Sequence, residues 1–363
     1  MKILFTRFPL ESAHGGAEVQ TLSLMEGLLE RGHAVAFLGS CPVLLQECRK
    51  RNIPCVELDI GAPPVTKWGT VSFLWRRRKM QQLLIKTIRV FRDLDAICML
   101  SLSEKLLVPP EKFSNVRIFW IEHDRIGRWL IKNPWFGSLR RNSEHVTTVA
   151  VSELSKNFYI HLGWPEDRIV TIPNGVDPLR FAHPATISKP NQFHIGCVAR
   201  LTSDKGIDLL ISAVRGLPDA RLTIVGGGRE LERLLCIIEP VNDQITILKY
   251  IDDLGAFYHS LDVLVLPSRD HDPFGLVAAE AMMLGIAVVV TDACGIASYL
   301  TNGSSGIVVE AGSASALLEA LRRLQKSPEE RRSLAQQGKS LALESFTVER
   351  MVNNYVALLS PQH

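Results

Sequence analysis

The sequence predicts an α/β protein made of two domains, each built on a parallel β-sheet, facing one another across a cleft. Three observations predict it. Short apolar runs alternate with helical stretches along nearly the whole chain, the rhythm of strands joined by covering helices. That rhythm breaks once, over residues 172–190, where four prolines and the turn Asn174-Gly175 form the best linker in the chain. The length of 363 residues suits two domains at roughly 150 residues each.

In chain order, Lys2–Thr6 reads as a strand and Val19–Glu30 as an amphipathic helix stopped by Gly32. Ala34–Leu38 is a strand, followed by a long helix at about 71–91. Strands at Ala96–Met99, Val116–Ile121, Thr147–Val151 and Ile169–Ile172 complete the first domain. Beyond the break, strands are expected at His194–Val198, Ala220–Val225, Ile245–Leu248, Val263–Pro267, Ala287–Thr291 and Gly306–Val309. Helices are expected at Ile207–Arg215, Glu230–Ile238 and Phe274–Leu284. Two helical patterns close the chain, Ser313–Gln325 and about 328–359 with a break near Ser345.

Composition excludes several classes. Hydrophobic residues are 46% and charged residues 22%, as in an ordinary globular chain and unlike a disordered or fibrous one. The longest apolar window, Val277–Val290, contains Glu280 and falls short of a membrane span. The N-terminal apolar run is closed by Arg7, Pro9 and Glu11, which is not the pattern of a signal peptide, so a cytosolic chain is expected. Seven cysteines occur singly, which argues for reduced, mostly buried thiols rather than a disulfide or zinc framework. Charge is uneven: residues 1–170 hold 24 Lys and Arg against 17 Asp and Glu, a balance of +7, and the remainder balances at −4.

Four segments carry candidate chemistry. In Ser268-Arg-Asp-His-Asp272-Pro-Phe274-Gly275-Leu276, a strand ends, a loop carries Asp272, and Gly275 opens a helix whose N-terminus favours an anionic or hydroxyl-rich ligand. Glu280, eight residues after Asp272, sits in an otherwise apolar helix, where a carboxylate is costly to bury unless hydrogen-bonded. Sugar hydroxyls suit it; equally, Asp272 reads as a helix cap and Glu280 as half of a buried structural pair. In Gly196-Cys-Val-Ala-Arg200-Leu-Thr-Ser-Asp-Lys205-Gly206, a strand delivers Arg200 at its C-terminal end and Lys205 opens the next helix. Two cations at that edge suit a diphosphate, unless they are only solvated surface charge. His14-Gly15-Gly16-Ala17-Glu18 and Gly226-Gly227-Gly228 are glycine turns after strands, without dinucleotide-fold spacing. His123 ends a strand, where it can serve as base or donor, or as a structural histidine. No catalytic triad, Walker or metal-ligand pattern appears; Asp270-His-Asp272 spells DxD only formally.

Taken together these segments resemble glycosyltransferase family 4, retaining enzymes of the GT-B fold. The resemblance also includes His123-Asp124, Val151-Ser152, Ile172-Pro-Asn-Gly-Val-Asp177, Pro267-Ser268 and Asn302-Gly303 through Gly306, and spans nearly the whole chain. It implies GT-B architecture, with an acceptor-side Rossmann-like domain at 1–177, a linker at 178–189 and a nucleotide-sugar-binding Rossmann-like domain at 190–345. A C-terminal helix, about 346–360, is expected to return to the first domain. The implied activity is hexosyl transfer from a nucleoside-diphosphate sugar, without metal or other cofactor, to a glycan or lipid-linked acceptor in cell-envelope polysaccharide or glycolipid synthesis.

The implied roles are these. Arg200 and Lys205 hold the donor diphosphate, and Glu280 the ribose hydroxyls. Asp272 and the backbone of Phe274, Gly275 and Leu276 contact the sugar and phosphate. Gly15, Gly16 and Gly226 let backbone approach the donor, and His123 faces the transferred sugar. The sequence departs from the family at Asp272, which stands for a longer Glu, at Cys294 in place of Gly, and at Ser298 in place of Glu. These departures motivate two other readings: a non-catalytic sugar-nucleotide-binding partner of another transferase, and a sugar-nucleotide epimerase of similar fold. Aromatic residues beside basic clusters over 67–92 and 125–141 further suggest docking of the first domain on an anionic membrane surface, on its cytoplasmic side, with no nucleic-acid partner.

Overall fold

The structure, a computed structural model, describes residues 1–9, 15–123, 128–181, 192–238 and 244–360, with the backbone alone for Arg128 and Trp129. It divides into two units. The first holds Met1–Gly175 and the chain from Val348 onward, and the second holds Val176–Thr347.

In the first unit the order is β1 (Lys2–Arg7), α1 (Gly16–Glu30), β2 (Ala34–Gly39), α2 (Pro42–Lys50), β3 (Cys55–Glu57), α3 (Lys67–Ile88), β4 (Ala96–Met99), α4 (Leu102–Leu107), β5 (Arg117–Glu122), α5 (Arg128–Ile131), α6 (Trp135–Ser143), β6 (Thr147–Ala150), α7 (Glu153–His161) and β7 (Ile169–Thr171). The sheet runs β3-β2-β1-β4-β5-β6-β7, with each adjacent pair parallel. Parallel pairing requires a crossover between strands, which the helices supply. Alternate residues of β1 serve opposite faces: Ile3 and Phe5 join the core under α1 and α2, and Leu4 joins the core under α3 and α4.

The second unit continues with β8 (Phe193–Val198), α8 (Ile207–Val214), β9 (Ala220–Val225), α9 (Leu231–Ile238), β10 (Ile245–Leu248), α10 (Leu254–His259), β11 (Val263–Leu266), α11 (Leu276–Met283), β12 (Ala287–Thr291), β13 (Ile307–Val309), α12 (Ala314–Lys326) and α13 (Pro328–Ser345). Its sheet runs β10-β9-β8-β11-β12-β13, again parallel throughout. In each sheet the chain winds outward from the first strand and then returns to its other side. The turning points lie between β1 and β4 and between β8 and β11. Loops leaving neighbouring strands diverge there, which is where open α/β sheets bind ligands.

The last helix, α14 (Val348–Leu359), belongs to the first unit. Met351, Val352, Tyr355 and Leu359 are buried in the same core as Leu24, Met25 and Leu28 of α1. Gln20 of α1 fixes the chain where it leaves this unit, donating to Gly175 O (2.7 Å) and accepting from Gly175 N (2.8 Å). The unit boundary therefore falls after Gly175 rather than after residue 177. Of the expected linker at 178–189, residues 178–181 form a 3-10 turn of the second unit, with Phe181 edge-on to Tyr258 at 5.6 Å. The rest of it lies outside the described residues, as do Asp124 and Arg125.

Some elements differ from the sequence reading. Helix α11 starts at Leu276, because Gly275 takes a left-handed conformation as its cap. The short elements α2, β3, α4, α6, α7 and α10 are additions to the expected set; each offers too few turns or residues for a clear period. Two aromatic residues of the second basic stretch, Trp135 and Phe136, pack against the core rather than standing in solvent, and the Trp129 side chain lies outside the described residues. Trp135 is buried edge-on to Phe73 at 5.0 Å, and Phe136 packs against Trp164 at 5.9 Å. Proximity to cations in sequence does not reveal which way a ring points. All seven cysteines are free thiols, Cys236 exposed and Cys55 half-buried, the others buried.

The α1–α14 contact generates a stability prediction. A Cβ at Gly27 would lie 2.5 Å from Val352 Cγ2. Gly27→Leu must therefore displace α14 and should cost about 1–3 kcal/mol, as overpacking does. A lower urea midpoint checks this; an unchanged midpoint would show that α14 does not seal the first unit.

Candidate functional site

Eight of the residues singled out in the sequence gather at the carboxyl edge of the second sheet. Arg200 stands two residues beyond β8 and is exposed. Lys205 ends a 3-10 turn, and Gly206 caps α8. Gly206 has φ +62°, and a Cβ there would lie 2.1 Å from Pro267 O, so only glycine lets this turn press against the end of β11. Gly226, just beyond β9, has φ +148°, and a Cβ there would lie 1.9 Å from Ala199 O. These two close approaches bring the loops after β8, β9 and β11 together.

The closest polar contact among the chosen residues joins Lys205 to Asp272. Lys205 Nζ lies 2.7 Å from Asp272 Oδ2, with both side chains about 15% exposed. Ser268 Oγ also donates to Asp272 Oδ2, at 3.4 Å. Burial opposes both charges, but each offsets the cost for the other. The Asp272 carboxyl is held below its ordinary pKa by Lys205 and by the Phe274 N–H, and the Lys205 ammonium above its own by Asp272. The contribution of Asp272 to stability is thus present at neutral pH and lost as pH falls through its depressed pKa.

The backbone around Asp272 is fixed by a short parallel bridge to Cys294. Asp272 N donates to Ala293 O (2.9 Å) and Gly295 N to Asp272 O (2.9 Å). Ser298 is exposed and its hydroxyl is spent on Gly295 O at 2.8 Å. Phe274 is core: its ring packs edge-on to Phe346 at 5.4 Å and Tyr299 at 6.4 Å, so only its backbone faces other roles. Helix α11 follows. Its first intrahelical bond runs from Ala278 N to Gly275 O at 3.0 Å, so the amides of Gly275, Leu276 and Val277 lie ahead of the helical ladder, at its electropositive end.

Glu280, one turn inside α11, is 4% exposed. Tyr258 OH donates to its Oε2 at 2.6 Å, and Arg180 approaches Oε1 at 3.7 Å. Burial raises the Glu280 pKa despite both neighbours. The sequence reading does not single out Tyr258 or Arg180. They lie 22 and 100 residues from Glu280, and nothing in their local patterns marks them.

The remaining candidates lie in the first unit, at the carboxyl edge of its sheet. Gly15 is the cap of α1 and Gly16 its first residue, both exposed. Glu18, in the first turn, forms a buried ion pair with Arg7 at the end of β1 (2.9 Å), which ties the start of α1 to the sheet. His123 follows directly on β5 and is half-buried. Its neighbour Glu122 accepts from Tyr159 OH at 2.8 Å and pairs with the buried Lys105 at 2.9 Å, an anchor for the end of the strand. Among the described residues no three His, Cys, Asp or Glu side chains gather as a metal site.

Comparison with known proteins follows the same division. The family described as Glycosyltransferase Family 4 matches residues 14–180, and that described as Glycosyl transferases group 1 matches residues 180–341. An uncharacterized glycosyltransferase of Methanocaldococcus jannaschii is 34% identical over 163 residues, 40% of this chain and 42% of that protein. The lipopolysaccharide core biosynthesis mannosyltransferase LpcC of Rhizobium leguminosarum is 27% identical over 301 residues, 77% of this chain and 80% of that protein. The crystal structure of Anabaena HepE in complex with UDP superposes with a TM-score of 0.84 at 19% identity, covering 99% of each chain. The chain spans about half the length of the first curated relatives it matches. The fold is GT-B, with two Rossmann-like parallel-sheet units.

The Glu280 environment yields a prediction with a definite sign. Its folded pKa is raised, so the folded state loses stability as pH climbs from the ordinary carboxylate value through the raised one, and the deficit persists at neutral pH. Glu280→Gln keeps an acceptor for Tyr258 and removes the charge. The variant should gain stability relative to wild type between about pH 4 and about pH 7. Urea midpoints at the two pH values check this; a gap that does not change with pH would contradict it.

Proposed function

The chain belongs to glycosyltransferase family 4, and from that premise we propose that it transfers a sugar from a nucleoside-diphosphate sugar to an acceptor. The observation that carries the proposal is the cationic edge of the second sheet. Lys205 is held ionised at the β8–β11 turning point, Arg200 stands earlier on the same loop after β8, and the N-terminus of α11 opens on the same edge. That arrangement meets a diphosphate with two fixed cations and helix amides.

In the proposed mechanism the donor diphosphate is the leaving group. Arg200, Lys205 and the amides of Gly275 and Leu276 take up the negative charge that develops as the glycosidic bond breaks, without a metal ion. Removing one such preorganised contact typically costs about 10²–10³ in rate. Glu280 accepts from the ribose hydroxyls, with Tyr258 orienting its carboxylate, and Gly226 leaves room for the nucleoside. Asp272 and the Phe274 backbone address the sugar. From the first unit, His123 is assigned to the transferred sugar and the Gly15-Gly16 turn to the diphosphate. The transfer is proposed to be of a hexose, with retention of anomeric configuration, as the family resemblance implies. HepE is described in complex with UDP-glucose, and LpcC with lipopolysaccharide core synthesis. By likeness to them, we assign the chain a uridine-type donor and a glycan or lipid-linked acceptor of the cell envelope.

One observation favours a second reading. Asp272 is paired with Lys205, and with Cys294 and Ser298 it departs from the family pattern, which suits a sugar-nucleotide-binding partner without catalysis. A panel of sugar nucleotides separates the readings. Diphosphate released in the presence of an acceptor supports transfer, binding without turnover supports the partner, and an isomerised donor supports an epimerase. Under transfer, turnover at saturating donor should survive EDTA and fall at least about tenfold in Arg200→Ala, a charged contact of about 1.5 kcal/mol or more. Undiminished turnover in Arg200→Ala, or loss in EDTA restored by Mg²⁺, would overturn the fixed-cation assignment.

The Lys205–Asp272 pair gives a binding prediction. A diphosphate must share Lys205 with a carboxylate already bonded to it. Asp272→Asn removes that competitor and should tighten UDP binding by about tenfold, the worth of roughly 1.4 kcal/mol. Calorimetric titration with UDP checks it; weaker or unchanged binding would mean that Asp272 serves to aim Lys205 instead.

A further inference from the structure

Helix α3 presents two faces of opposite character. Phe73, Leu84 and Ile88 are buried in the core of the first unit. On the other side Trp68 is 85% exposed and Trp75 86%, with Val71 at 50% and Leu74 at 61%. Trp68 and Trp75 are seven residues apart, so they lie on one face two turns apart, and Lys79 and Lys86 continue the same line. Leaving two indoles in water forfeits the stabilisation that burying them would give, and a contiguous apolar patch of this kind marks a surface made to be covered.

The charge around the patch identifies what covers it. Residues 67–92 hold eight Lys and Arg and no Asp or Glu. Two of the eight are committed to the fold: Arg76 bonds the carbonyls of Ile60 and Ala62, and the Arg77 guanidinium lies 5.0 Å over the Trp135 ring. The other six, Lys67, Arg78, Lys79, Lys86, Arg89 and Arg92, are exposed. Indoles prefer the boundary between hydrocarbon and water, where the ring is apolar and the N–H remains solvated. A row of flexible cations without a single acid is matched by a surface of dense negative charge rather than by the mixed charges of a protein partner. No described helix is long and apolar enough to cross a membrane.

We propose that α3 docks the first unit on an anionic lipid surface, with Trp68 and Trp75 at headgroup depth and Arg78, Lys79 and Lys86 against the phosphates. Of the aromatic rings described in the second basic stretch, Trp135 is buried and Phe136 is half-buried against the same core, so neither offers a comparable exposed face. The proposal concerns the surface of the first unit and stands independently of sugar transfer.

Flotation of the full chain tests it, with vesicles of phosphatidylcholine mixed with phosphatidylglycerol and vesicles of phosphatidylcholine alone. The wild type should float with the mixed vesicles at low salt, sediment with phosphatidylcholine alone, and show blue-shifted tryptophan emission on binding. Trp68→Ser with Trp75→Ser alters only exposed positions, so the variant should fold normally, cease to float and lose the emission shift. Arg78→Gln with Lys79→Gln should lower the partition coefficient about 25-fold, each cation near the surface contributing roughly fivefold. Wild type that stays unbound with the mixed vesicles at low salt would overturn the proposal. So would a double tryptophan variant that floats like wild type, or self-association that this variant abolishes, which would assign the face to a second copy of the chain.

Discussion

Parallel strands have to be joined by crossovers that carry the chain back to the same end of the sheet. That constraint delivers the loop after every strand of each sheet to one edge, and the rest of the structure depends on it. In the second unit the strand order turns back between β8 and β11. The loops that leave those two strands carry Arg200 and Lys205 on one side and Asp272 with the start of α11 on the other. Gly206 and Gly226 then allow the loops to approach closer than any side chain would permit. The chemistry follows from topology first and from the identity of the charged residues second.

Those charged residues sit in a balance that a ligand can shift. The Lys205–Asp272 pair is largely removed from water, where separating the partners leaves an uncompensated charge. Glu280 is different, because its charge is carried against burial with a tyrosine hydroxyl at 2.6 Å and a half-exposed arginine at 3.7 Å in support. A carboxylate maintained at a cost to stability is the kind of feature that selection for binding retains. The two acids, eight residues apart on one loop and helix, thus differ in environment: one is paired closely with a buried ammonium, the other accepts from a tyrosine hydroxyl and lies at the edge of ion-pair range from an arginine.

Much of this is legible in the sequence. The strands Ala96–Met99, Ala220–Val225, Ile245–Leu248 and Ala287–Thr291 are expected at the bounds they take, since the strands of a parallel sheet are short, mostly apolar runs with sharp ends. Arg200, Lys205 and Asp272 stand out because strand ends and helix starts place them at the edge where open α/β sheets bind ligands, and Glu280 because it is a carboxylate in an otherwise apolar helix. The partners of those residues do not. The pairing of Lys205 with Asp272 and of Glu280 with Tyr258 and Arg180 is set by tertiary packing, to which local patterning is blind. The same limit explains the two aromatic stretches. Trp68 and Trp75 lie on the solvent side of α3, whereas Trp135 turns into the core to meet Phe73, although both stretches read alike as rings among cations.

The proposed function requires the edge around the β8–β11 turning point to receive a nucleoside diphosphate. Hydrogen exchange of backbone amides, followed by mass spectrometry with and without UDP, tests it most directly, because the proposed contacts include main-chain groups. Slowed exchange is expected in segments containing Lys205 and Gly206, the Gly226–Gly228 turn, and Phe274–Val277, with smaller changes across the rest of the second sheet. Binding of UDP with protection confined to other segments, or no protection at UDP concentrations that saturate the protein, would contradict it.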